Sequence, residues 1–167
     1  MRGLLKTGAV TLMLTCMGGN VVAQAASLAR CATTEDMFAI RAAAVQQKLM
    51  VAALSCRATN LYQQFVGDYR QSLIASDSAL QNFFLRLNAH TGTADYHSFK
   101  THLANAAAIL PSRDALKFCA DAKVTFAAAS KTNDLKAFLA HQTTAEDAAF
   151  PRCSVRTAST NAPPRRR

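Results

Sequence analysis

The chain has 167 residues, 19 Lys+Arg against 10 Asp+Glu, and a formal net charge of +9. Half of its residues are hydrophobic, which argues against wholesale disorder, and the length allows one domain. It is too short for a barrel enzyme or a complete two-half dinucleotide-binding fold.

The first residues read as an address. Arg2 and Lys6 form a short positive region, and an apolar stretch runs from Leu4 to Cys16. Gly18-Gly19-Asn20 breaks it, and Ala23-Gln24-Ala25 supplies a small-x-small cleavage site. This order predicts a secretory signal peptide over 1–25. The apolar run is too short to span a bilayer, so no transmembrane segment is expected after cleavage. A competing reading makes Cys16 the acylated residue of a lipoprotein. The preceding Met13-Leu14-Thr15 lacks the small residue expected just before such a cysteine. The expected location is periplasmic or secreted.

The body, 26–151, reads as helix throughout. Between Cys31 and Phe150 stand only Gly67, Gly92 and Pro111 as breakers, and the chain holds 34 alanines. A first helix is expected after Thr33-Thr34, with Glu35 and Asp36 at the positive end of its dipole. Phe38, Ala42, Val45, Leu49, Ala52 and Cys56 form one seam along it. A second segment from about Arg57 carries Tyr62, Val66, Tyr69, Leu73, Leu80, Phe84 and Leu87 in helical phase. Its unbroken phase favours one long helix, with or without a kink, although Ser76-Asp77-Ser78 offers a cap for a new one. A third helix is expected over about Ala94–Ile109, stopped by Pro111. Ser112 would cap a fourth, with Ala115, Cys119, Ala122, Phe126 and Ala129 as its seam. Asn133 would open a short fifth element through Leu135, Phe138 and Leu139. Short connections between amphipathic helices predict an all-α, up-and-down bundle of four to five helices. The stretch 152–167 lacks apolar periodicity and reads as a basic disordered tail.

Once Cys16 leaves with the leader, Cys31, Cys56, Cys119 and Cys153 remain. An even number in an exported chain predicts two disulfides. Cys31–Cys56 is excluded if the first helix is straight, because about 20 helical residues span about 30 Å. The preferred pairing is Cys56 with Cys119 and Cys31 with Cys153. Cys31–Cys119 with Cys56–Cys153 stays open.

Little in the chain points to catalysis. His97 and His102 are five apart and do not share a helical face; His90 and His141 are isolated, so no metal site is expected. Met37 and Met50 read as core filler, and Tyr62 and Tyr69 as core residues one heptad apart. Glu35-Asp36 and Glu146-Asp147 are adjacent pairs that diverge around a helix, suited to helix starts or turns rather than acid–base work. No nucleophile elbow, Gly-rich phosphate loop or C-x-x-C-H haem motif occurs, and no cofactor is expected.

The stretch from Cys31 through Thr101 to Asn105, with CATTEDMFAIRAAAVQQKLMVAALSC and then NLYQQFVGDYRQSLIASDSALQNFFLRLNAHTGTADYHSFKTHLAN, resembles small uncharacterised exported bacterial proteins. Some members of that group bear an S-adenosylhomocysteine hydrolase label. The enzyme of that name holds NAD on a G-x-G-x-x-G fold, and the chain carries no such motif. The resemblance spans less than half the chain and transfers no functional residue.

Charge is unevenly placed. Of the +9, Arg2 and Lys6 carry +2, and Arg152, Arg156, Arg165, Arg166 and Arg167 carry +5. The remaining body has 12 basic and 10 acidic residues and is nearly neutral. An arginine cluster attracts anions by charge and by its bidentate fork. The expected partner is an anionic cell-envelope surface or an acidic protein, met through the tail, and not nucleic acid. The leading expectation is a noncatalytic exported protein acting through its surface; the alternative is a carrier of a small ligand or cofactor inside the bundle.

Overall fold

The computed structural model describes residues 31–153. The expected signal peptide, 1–25, with Cys16, and the tail residues Arg156, Arg165, Arg166 and Arg167 lie outside the described residues. Within them the chain is all-helical: α1 Thr34–Ser55, α2 Thr59–Asp68, α3 Arg70–Leu87, α4 Gly92–Arg113, α5 Ala115–Ala129 and α6 Leu135–Ala140, then a 3-10 turn Ala145–Ala148.

Helix α1 begins where the sequence places it. The Thr33 hydroxyl accepts the Asp36 N–H, and the Asp36 carboxylate accepts the Thr33 N–H at 2.7 Å, a reciprocal cap that satisfies two otherwise orphaned donors. The helix does not bury a single seam. Met37, Ala39, Ile40, Ala42, Ala43, Ala44 and Val45 are all buried, because α3, α4, α5 and the 3-10 turn pack around it. Small alanines on several faces let those neighbours approach closely. Among the described residues α1 alone is long and apolar enough to cross a membrane by composition, and 56% of that window is buried inside the protein. It is the central core helix.

The second segment breaks at Tyr69, between α2 and α3. Tyr69 is 2% exposed, and its hydroxyl lies 2.7 Å from the carbonyl oxygens of both Ala129 and Thr132. Its one O–H is shared between them, at the end of α5 where helical carbonyls lose their own partners. Holding that ring in place sets the kink. Ser76-Asp77-Ser78 does not start a helix. Ser76 is buried and donates to the Leu73 carbonyl within α3, while Asp77 pairs with α4. Phe83, absent from the expected seam, is fully buried, because α3 is packed on more than one side.

Pro111 does not stop the third predicted helix. Helix α4 continues to Arg113, since a proline in the last turn forfeits a single backbone bond there. The cap of α5 is therefore Asp114, whose carboxylate accepts the Lys117 N–H at 2.9 Å, rather than Ser112, whose hydroxyl donates back to Ile109. Asp134, one residue after Asn133, caps α6. Ala115 is exposed, and Phe118 takes the buried place beside Ala122.

Two disulfides tie the bundle. Cys31 joins Cys153 with Cα atoms 5.0 Å apart, and Cys56 joins Cys119 at 5.5 Å. Beside the first, Ala32 and Arg152 form a parallel bridge, with Ala32 N–H donating to Pro151 at 2.8 Å and Cys153 N–H to Ala32 at 2.9 Å. Arg152 and Cys153 are thus part of the ordered body. Among the described residues three apolar clusters fill the interior: one around Phe65, Tyr69, Phe126 and Phe138, one around Phe83, Phe84 and Tyr96, and a small one of Ala52, Phe118 and Ala122.

Candidate functional site

The polar side chains that come together are engaged with one another. The Asp36 carboxylate, 7% exposed, accepts from the Arg86 guanidinium, from the Thr33 hydroxyl and from the Thr33 N–H. Arg86 also lies over the Phe83 ring, 5.5 Å from its centroid. A buried carboxylate that has three donors is a structural clamp between the start of α1 and the end of α3.

A second cluster joins α3 to α4. Asp77 accepts the Tyr96 hydroxyl at 2.7 Å and the Lys100 ammonium at 2.6 Å. Burial, then donation to Asp77, pushes the Tyr96 hydroxyl up to about 12, so it stays protonated at neutral pH. Burial works to raise the Asp77 carboxyl, but the Lys100 and Tyr96 hydrogen bonds, the Lys100 charge and nearby His97 outweigh it and hold it below the ordinary value. Both groups keep one protonation state across the physiological range, which suits a brace and not a proton shuttle.

A third ion pair fixes the last turn. Arg41 donates to Asp147 at 2.5 Å through one guanidinium nitrogen and at 3.1 Å through Nε, and reaches the Leu139 carbonyl at 3.4 Å. Asp147 also accepts the Thr144 N–H at 3.0 Å. Burial alone would raise its carboxyl; the Thr144 and Arg41 bonds, with the charges of Arg41 and Arg152, hold it low.

Beside this pair lies a cleft of about 350 Å³ between the start of α1, α6 and the chain at Arg152–Cys153. Arg41, Lys136 and Arg152 bring three cationic side chains to its lining, Glu35 brings one carboxylate, and Phe38, Met37 and Leu139 give it an apolar wall. Lys136 reaches Glu35 at 3.1 Å and sits 5.3 Å from the Phe38 ring centroid. Of the basic residues singled out in the sequence, Arg152 is the one within the described residues, and it stands here. Arg41 and Lys136 were not singled out, because each reads alone as an ordinary charge on a solvated helix face. Only the fold gathers them.

The other sequence candidates do not converge. His90, His97, His102 and His141 are all exposed, and among the described residues no group of three His, Cys, Asp or Glu is placed to hold a metal ion. Met37 is core, and Glu146-Asp147 belong to the 3-10 turn, where Asp147 serves as a turn residue. No protein-family model, curated protein or solved structure matches this chain.

Proposed function

We propose that the chain is a noncatalytic, exported, disulfide-tied up-and-down bundle that works through its surface, with its basic C-terminal end meeting an anionic cell-envelope surface or an acidic protein. The observation that carries this reading is where the basic segment is rooted. Arg152 and Cys153 are fixed by a disulfide and a backbone bridge beside the cleft that holds Arg41 and Lys136, so the charge-rich sequence is rooted at a cleft lined by three cations. Two disulfides are suggestive of an oxidising, extracellular setting. The signal-peptide pattern of 1–25 supports export. The test is retention on anionic lipid vesicles and on heparin across a salt series. Deleting Thr157–Arg167 is expected to abolish the salt-sensitive retention, and retention that survives the deletion sinks the reading.

A second reading, a carrier of a small ligand, has its own observation. A cleft of about 240 Å³ lies between α1 and α4 under residues 142–146, walled by Val45, Leu49, Leu103 and Leu110. Thr144, on that roof, has a buried hydroxyl that caps the 3-10 turn but whose own O–H has no acceptor among the described residues. Native mass spectrometry of the protein purified from its exported fraction decides this: a stoichiometric bound small molecule would favour the carrier.

A further inference from the structure

The cations of the cleft are not equally committed. Arg41 is held by Asp147, and Lys136 by Glu35. Arg152 forms no ion pair among the described residues, and it acts on Asp147 only through space. With Asp147, which pairs with Arg41 from beside the lining, counted alongside Glu35, one positive charge of the cleft is left unbalanced. Next to that charge is an apolar wall, with Met37 and Leu139 buried and Phe38 half-buried. A cationic rim over an apolar wall matches a ligand with one anionic group and a hydrocarbon part. A polyanion fits poorly, since Glu35 stands at the same rim and would repel the further charges. The volume of about 350 Å³ falls within the range of small-molecule sites, roughly 300–1,000 Å³.

We propose that this cleft binds the oxyanion of a short-chain amphiphile, a carboxylate or phosphate monoester on a hydrocarbon tail. Arg152 and Lys136 face the oxyanion, and Phe38 and Leu139 face the chain. The inference rests on the reading that this end of the molecule meets anions, and it names the ligand chemistry that end selects. Arginine suits the role because its planar fork presents paired donors to a carboxylate or phosphate.

The experiment titrates octyl phosphate, octanoate, inorganic phosphate and the neutral octyl glucoside into the disulfide-intact, isotope-labelled protein and follows backbone amide shifts. Octyl phosphate, octanoate or both are expected to move Phe38, Lys136 and Cys153, and which of them does so identifies the oxyanion. Octyl glucoside and inorganic phosphate are expected to bind at least about tenfold more weakly, since each lacks one of the two interactions. Arg152→Glu, at an exposed position, is expected to weaken the octyl anion by about tenfold or more, while Arg113→Glu, exposed at the end of α4, leaves it unchanged. Undiminished binding in Arg152→Glu overturns the inference. So does shift mapping to another surface, or inorganic phosphate binding as tightly as the octyl anions. The tail deletion separates this inference from the broader reading. If vesicle retention survives loss of Thr157–Arg167 but Arg152→Glu still loses the octyl anion, the tail reading falls and the cleft stands.

Discussion

Around Cys31–Cys153 the chain is packed tightly, and around Cys56–Cys119 it is not. At the first, Ala32 is 1% exposed, the Thr33–Asp36 cap is locked by Arg86, and Phe83, Phe84, Phe99 and Phe150 meet ring to ring at 5.2–6.0 Å. At the second, the small cluster of Ala52, Phe118 and Ala122 has only partly buried neighbours, including both cysteines. Leu54, two residues before Cys56, is 74% exposed, and Leu116, three before Cys119, is 87% exposed. The same covalent device serves two purposes. At the dense end it fastens both ends of the described chain onto a core that already holds. At the sparse end it replaces packing the sequence does not provide.

Removing each bridge in turn tests that contrast most severely. The Cys31–Cys153 bond joins residues 122 apart, and the Cys56–Cys119 bond residues 63 apart. Loop-closure entropy alone assigns about 4.9 kcal/mol to the first and about 4.3 kcal/mol to the second. Urea unfolding of the double serine variants is expected to show losses of that order and nearly equal. Hydrogen exchange should separate them. Without Cys56–Cys119, amides near the ends of α1 and the start of α5 should exchange by local opening, while without Cys31–Cys153 the loss should be global. Global exchange in both variants would break the comparison.

Glycine at the dense end gives the next largest effect. A Cβ on Gly92 would lie 2.6 Å from the Leu85 Cα and the Phe84 carbonyl oxygen, which are backbone atoms that cannot swing aside. Gly92→Ala is expected to destabilise by about 1–3 kcal/mol as α3 and α4 are forced apart. At Gly67 the same atom would meet nothing within 4 Å, so Gly67→Ala should hold or gain stability. Thermal unfolding of the two variants reads the difference directly.

These glycines also mark where the sequence runs out. Gly67 and Gly92 look alike as letters, and only the approach of α3 to the start of α4 distinguishes them. Features set by residues a few positions apart are legible: the Thr33 cap, the breaks after Leu87 and before Leu135, the helical phase of α1. Features set by distant partners are not. The kink at Tyr69 depends on carbonyls 60 and 63 residues away, and Arg41 finds Asp147 106 residues along the chain. The candidate site follows the same rule. Arg152 stands out by its charge context, whereas Arg41 and Lys136 acquire meaning only once α1 and α6 are side by side.

Acid should loosen the dense end through Asp147. Its carboxyl is held below the ordinary value of 3.8 in the folded chain, so the folded state binds fewer protons than the unfolded one as pH falls. The stabilisation is complete above that ordinary value and is lost as pH drops through the lower folded value. Asp77, also lowered, adds to the same window. Asp147→Asn is expected to cost about 1 kcal/mol at neutral pH and to flatten the acid limb of stability against pH. An unchanged acid limb would show that the Arg41 pair does not tie the last turn down.

The smallest effect sits at the sparse end, at Arg57. Its φ of 55° is left-handed, and the Ala58 N–H closes α1 by donating to the Ala53 carbonyl at 3.0 Å, a geometry that glycine adopts without a Cβ clash. The exposed arginine side chain makes no ion pair among the described residues to compensate. Arg57→Gly is expected to stabilise by about 0.5–1 kcal/mol, less whatever entropy glycine adds to the unfolded chain. The measurement is a shift in the urea midpoint at constant slope. Stabilisation with unchanged exchange near Cys56 would mean that the turn is strained while the disulfide alone sets local opening. Stabilisation with slower exchange would mean that strain at Arg57 contributes to the looseness of this end. A loss of stability would mean that Arg57 holds contacts in solution, and that the two ends are closer in quality than their packing implies.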